Sequence, residues 1–115
     1  MIRTFIETEI FTRQWEEIGL DDSDLRALQN LILDNPKIGK VIPGTGKLRK
    51  MRFSTQNKGK SGGVRVCYVD YVIYDTVFLM TVYAKSEKEN LSKLECNNLK
   101  KIIDLIEKGL AKKKQ

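Results

Sequence analysis

Two consecutive segments decide the fold: Val64-Arg-Val-Cys-Tyr-Val-Asp-Tyr-Val-Ile73 and Thr76-Val-Phe-Leu-Met-Thr-Val-Tyr83, joined by Tyr74-Asp75. Both are crowded with β-branched and aromatic residues, which fit the pleated surface of a sheet. So short a connection pairs them antiparallel. Upstream, Leu48–Phe53 reads as a third strand, bounded by the turn Pro43-Gly44-Thr45-Gly46 and by the polar loop Gln56–Gly63, with three glycines and two lysines. Three strands with short connections predict an antiparallel meander.

The flanks are helical. Arg3–Thr8 reads as a short strand, and Ile10–Ile18 follows with Phe11, Trp15 and Ile18 on one helical face. Asp21-Asp22-Ser23 supplies N-cap residues for a second helix carrying Leu25, Leu28 and Ile32, which stops at Asn35-Pro36. Leu91 to about Leu110 is the last helix, with Leu91, Leu94, Leu99, Ile102, Ile103, Ile106 and Leu110 along one stripe. Its start is open, because Ser92 with Glu95 and Ser86 with Glu89 both fit a capping box. Lys112–Gln115 is a basic tail. The order β-α-α-β-β-β-α, with amphipathic helices that must cover a sheet, predicts an α+β fold in a single domain spanning 1–115.

Composition narrows the chemistry. The chain has 115 residues, 41% hydrophobic and 31% charged, with two cysteines and no histidine. A domain of this length buries roughly 65% of its unfolded surface and needs no metal or disulfide staple. Without histidine there is no imidazole metal site, no Ser-His-Asp or Cys-His enzyme and no histidine general acid–base. Cys67 and Cys96 make neither a structural zinc site nor a secreted disulfide framework, and two thiols suit a reducing cytosol. No apolar run approaches the roughly 20 residues that span a bilayer. Charged Arg3, Glu7 and Glu9 argue against a signal peptide. A cytoplasmic chain with no membrane partner and no cofactor is the expectation.

The charge of +6 is concentrated. Residues 1–34 hold three basic and eight acidic side chains, and residues 70–115 nine basic and seven acidic. Residues 35–69 hold nine basic side chains and no acidic one: Lys37, Lys40, Lys47, Arg49, Lys50, Arg52, Lys58, Lys60 and Arg65. Such a block repels itself unless an anion is near, and phosphate is the commonest. The bland alternative is a solubilising face, though those usually mix signs.

Alternation along the strands sharpens this. Met51 and Phe53 share one face and Lys50 and Arg52 the other. Arg65 alternates with Val64 and Val66. Phe78, Met80 and Val82 are expected on one face, with Thr81, Tyr83 and Lys85 on the other. If the apolar sets pack under the helices, Lys50, Arg52, Arg65, Tyr83 and Lys85 line the opposite face together. Gly59-Lys60-Ser61 copies the end of a phosphate-binding P-loop, but position 54 is Ser and a strand follows, so nucleotide hydrolysis is set aside. The loop Lys58–Gly63 reads better as a basic flap whose glycines permit close backbone approach.

The element order, Pro43-Gly-Thr-Gly-Lys-Leu-Arg-Lys-Met-Arg52, the loop Gly59-Lys-Ser-Gly-Gly63 and the strand Val64-Arg-Val-Cys-Tyr68 together resemble the RelE/HigB toxins of bacterial toxin–antitoxin modules, the HigB type in particular. The resemblance covers nearly the whole chain. It implies a microbial-RNase-like sheet with helices on one face. It also implies a small endoribonuclease that cuts messenger RNA in the ribosomal A site and is neutralised by a cognate antitoxin, often one with a helix-turn-helix domain. Lys50 and Arg52 fall at the family's paired basic residues, Arg65 at its arginine on the next strand, and Lys85 at a basic position after the last strand. The tyrosine that some RelE members carry near the last helix has no match in Glu89-Asn-Leu-Ser92.

The chemistry suits these residues. The 2′-OH of RNA can attack the adjacent phosphate without a metal, provided the extra charge is stabilised and protons are moved. Arginine forks suit the charge. Arg52 and Arg65 are expected to hold the scissile phosphate, with Lys50 or Lys85 exchanging protons. Lys37, Lys40, Lys47, Arg49, Lys58, Lys60 and Tyr83 are expected to contact messenger or ribosomal RNA. The rival expectations are a ParE-like gyrase poison, which shares the fold, and an RNA-binding module without catalysis. The sparse aromatics of the basic block make the latter a poor stacking platform.

Overall fold

The computed structural model describes residues 2–54 and 63–113. Lys58, Lys60 and most of the loop Gln56–Gly63 lie outside the described residues. The elements are β1 (Thr4–Glu7), α1 (Glu9–Ile18), α2 (Asp22–Asp34), β2 (Lys40–Val41), β3 (Arg49–Phe53), β4 (Val64–Tyr71), β5 (Thr76–Ala84) and α3 (Lys93–Lys113). A single 3-10 turn, Val72–Tyr74, links β4 to β5, so β4 ends two residues before the predicted Ile73. The dipeptide β2 was not foreseen.

Local chemistry explains the helix limits. Thr8 caps α1, its Oγ1 accepting from Phe11 N–H at 3.0 Å while donating to Met80 O at 2.8 Å. Gly19, at φ +93°, ends that helix in the left-handed region. Asp21 and Asp24 form a reciprocal capping box at the start of α2. Of the two boxes considered for α3, Ser92 with Glu95 is the one formed, through Ser92 N–H to Glu95 and Glu95 N–H to Ser92 Oγ.

The sheet order is β1-β5-β4-β3-β2. β3, β4 and β5 form the expected antiparallel meander, while β1 joins β5 in parallel, so the sheet is mixed. A parallel partner is what the helical crossover through α1 and α2 allows. Arg3 locks this edge inward. Its guanidinium pairs with Asp70 of β4 at 2.8 Å, with both side chains under a tenth exposed.

Both sheet faces are covered, not one. Phe11, Trp15, Leu28 and Ile32 from α1 and α2 pack on Met51, Phe53, Val66, Tyr68, Val77, Leu79 and Val82. Leu99 and Ile103 of α3 pack on the reverse face, against Cys67, Val69, Tyr71, Phe78, Met80 and Tyr83. Each fully buried side chain of this size contributes roughly 1.5–3 kcal/mol. Both faces need cover because β4 and β5 carry buried side chains on each of them, and β5 also carries an irregularity. Cys67 pairs with Thr81 and Tyr68 with Leu79, which leaves Met80 as an extra residue. This bulge changes the parity of the strand. Phe78 and Met80 therefore face α3 while Val82 faces α1 and α2, which corrects the expectation that the three share a face.

Candidate active site

The continuous registers of β2, β3 and β4 decide where the basic residues meet. With Met51 and Phe53 in the α1/α2 core, Lys50 and Arg52 project to the α3 face. The registers then place Arg52 beside Arg65 and Arg65 beside Tyr83, one cross-strand row over three strands. A second row sets Lys40 beside Lys50 and Lys50 beside Cys67. The basic rows thus do not own a face opposite the helices. They occupy the margin of the α3 face, where the chain runs from β5 into α3.

There they line a groove of about 480 Å³ with Ile38, Met51 and Glu89. Two like-charged pairs sit directly opposite one another here, Lys40 with Lys50 and Arg52 with Arg65, an arrangement that destabilises a sheet in the absence of an anion. Arg65 is 3% exposed, so its charge is held in place by the fold. Its Nη2 lies 3.8 Å from Glu89 Oε1. Lys50 Nζ donates to Asn90 Oδ1 at 2.7 Å. Glu89 and Asn90 come from the segment between β5 and α3, and sequence reasoning assigned them no place in the site. The signal available was Glu89 as a capping residue; its actual neighbour is an arginine that precedes it by 24 positions.

The other expected residues are scattered. Tyr83 takes its place in the row, but it is 3% exposed, its ring covered by Lys88 Nζ at 5.1 Å from the centroid. Lys88 is held there by an ion pair with Glu95, which in turn keeps the Glu95 carboxyl below the usual carboxylate range. Burial pushes the Tyr83 hydroxyl well above its ordinary pKa, with the neighbouring Cys67 adding to the effect. Cys67, beneath Lys50, is pushed up to about 12 by burial, against the opposing pull of Lys50. Lys85 lies just past β5, exposed, and is not among the residues lining the groove. Lys37 is exposed in the loop before β2. Arg49 alternates to the other face, where its Nη1 donates to Gly39 O at 2.7 Å. Lys47 sits beyond the groove, paired with Glu107 at 3.0 Å and over the Tyr71 ring. Among the described residues no cluster of His, Cys, Asp or Glu is arranged to hold a metal ion. No helix among them is long and apolar enough to cross a membrane.

A model of the family described as the RelE toxin of the RelE/RelB toxin–antitoxin system matches residues 3–114. The chain belongs to the RelE toxin family. Solved structures agree on the fold. Isolated RelE of Escherichia coli is 19% identical with a TM-score of 0.53, over 89% of this chain and 99% of that one. RelE in the intact E. coli RelBE toxin–antitoxin complex is 18% identical with a TM-score of 0.52, over 73% and 96%. A conserved hypothetical protein of Helicobacter pylori is 18% identical with a TM-score of 0.51, over 75% and 98%. This RelE-family chain is therefore a toxin of a toxin–antitoxin system.

Proposed function

We propose that this RelE-family toxin is a ribosome-dependent endoribonuclease that cuts messenger RNA by attack of a 2′-OH on its adjacent phosphate. The observation that carries this is the row of Arg52 and Arg65 facing each other across β3 and β4 in an open groove, with Lys50 beside them. Two guanidiniums at one spot supply paired donors to the non-bridging oxygens of a phosphate and stabilise the charge that grows on a phosphorane. Lys50, oriented by Asn90, is the proton donor to the departing 5′-oxygen. Lys40, which lines the groove, holds the RNA strand together with the exposed Lys37 and Lys85, and Lys58 and Lys60 are further RNA contacts in this reading. Lys47 and Arg49, neither of which lines the groove, contact ribosomal RNA in this reading. The site works in the cytoplasm, without a metal or cofactor. A cognate antitoxin neutralises the toxin, as the complex solved for the E. coli relative suggests, and a helix-turn-helix domain on it would let the pair regulate its own operon.

The test is cleavage of a defined messenger by the purified protein, mapped by primer extension, with and without ribosomes. Cuts that require ribosomes are expected, and Arg65→Ala is expected to reduce their rate by about 100-fold or more. Intact messenger in both samples defeats the proposal. Inhibition of DNA gyrase by the same preparation would then move the chain to the ParE-like mode of action.

A further inference from the structure

We infer that Glu89 is the general base of this site, the group that takes the proton from the attacking 2′-OH. The inference rests on the nuclease reading above. The chain has no histidine, so the base must come from another residue type. Arginine does not lose its proton in proteins. A lysine acts as a base only after losing the proton that makes it cationic, and the Lys50 ammonium is engaged as a donor to Asn90. Among the described residues lining the groove, Glu89 is the one carboxylate. A carboxylate is a recognised general base and has lone pairs to accept the proton.

Its placement suits the task. Glu89 Oε1 lies 3.8 Å from the Arg65 guanidinium, so a phosphate bound by Arg65 arrives beside this carboxylate. The Glu89 side chain is 61% exposed, which leaves it room to turn from Arg65 to a bound nucleotide. Its segment is tied to two strands. Tyr83 Oη donates to Glu89 O at 3.5 Å, and the next residue, Asn90, receives Lys50. Glu89 and Asn90, the residue that holds the acid Lys50, are thus adjacent in the chain, and their partners lie on different strands.

The step balances without any co-reactant. Glu89 takes the 2′-OH proton as the 2′-oxygen forms a bond to phosphorus. The bond from phosphorus to the 5′-oxygen breaks, and that oxygen receives a proton from the Lys50 ammonium. The products are a 2′,3′-cyclic phosphate and a 5′-hydroxyl end. Arg52 and Arg65 stay charged throughout and hold the phosphorane.

Single-turnover cleavage on programmed ribosomes tests this with wild type, Glu89→Gln and Glu89→Asp. Binding is measured in parallel with a messenger carrying 2′-O-methyl groups, which cannot be cut. Loss of a general base is worth about 10²–10⁴ in rate, so Glu89→Gln is expected to cleave at least about 100-fold more slowly. Its binding is expected to be unchanged or tighter, since one negative charge has left a phosphate site. Glu89→Asp, which keeps a carboxylate on a shorter stem, is expected to cleave more slowly than wild type but faster than Glu89→Gln. If wild type cuts and Glu89→Gln cuts within about threefold of it, Glu89 is only a counter-ion to Arg65 and the inference is overturned. A wild type that leaves the messenger whole overturns the nuclease reading itself, a result told apart by the first lane of the same gel.

Discussion

A Cβ at position 63 would stand 2.6 Å from Phe53 O, and Gly63 has φ +69°. Only glycine meets both conditions without strain. Gly63 closes the chain onto β3 two residues before Arg65, so the residue that aims the arginine row is one with no side chain. Gly63→Ala is expected to lower stability by about 2 kcal/mol, measured from the urea midpoint. A midpoint equal to wild type would show that the segment entering β4 relaxes freely. At this scale the sequence was readable in part. Arg52, Arg65 and Lys50 were identified from alternation, because a strand puts every second residue on one face whatever its partners are. Glu89 was not, since no local pattern ties a loop carboxylate to an arginine on a strand far upstream.

At the scale of elements, hydrophobic period and cap chemistry carried most of the fold. α1 and α2 lie within about two residues of Ile10–Ile18 and of the stretch between Asp21 and Asn35-Pro36, and the meander strands within about two residues of Leu48–Phe53, Val64–Ile73 and Thr76–Tyr83. What escaped was set by pairing. The bulge at Met80 leaves no mark in the hydrophobic pattern of Thr76–Tyr83, because that strand is apolar on both faces and either parity reads the same. The two-sided cover of the sheet follows from buried side chains on both faces of β4 and β5. The α3 start was ambiguous for a simpler reason, as two boxes had the same spelling. The structure separates them by bonds, so Ser92→Ala is expected to cost about 1 kcal/mol of stability in thermal unfolding. Ser86→Ala is expected to stay within about 0.5 kcal/mol of wild type. Equal effects from both substitutions would contradict the assigned helix start.

At the scale of the molecule, segregated charge was legible from counting alone, and the fold gives it a geometry. Acidic side chains dominate α1 and α2, while Lys40, Lys50, Arg52 and Arg65 gather at the groove on the opposite sheet face. Burying that sheet on both sides has a thermodynamic consequence at high pH. Burial raises the Cys67 thiol to about 12 and also raises Tyr68, Tyr71 and Tyr83, so the folded chain keeps protons that the unfolded chain releases from about pH 9 upward. Stability falls with pH wherever the native state binds more protons than the unfolded state. The contribution of these groups is therefore whole below about pH 9 and shrinks as pH climbs toward their folded values. Between pH 8 and pH 10.5 Cys67 alone releases its proton in the unfolded chain over about 1.5 units, a loss of about 2 kcal/mol. Urea unfolding at the two pH values is expected to show at least that fall in wild type. Cys67→Ala is less stable at pH 8, having lost a packed sulfur, but its further fall to pH 10.5 is expected to be smaller by about 2 kcal/mol. Parallel losses in the two proteins would mean that Cys67 ionises freely in the folded state, and that water reaches the sheet beneath the groove.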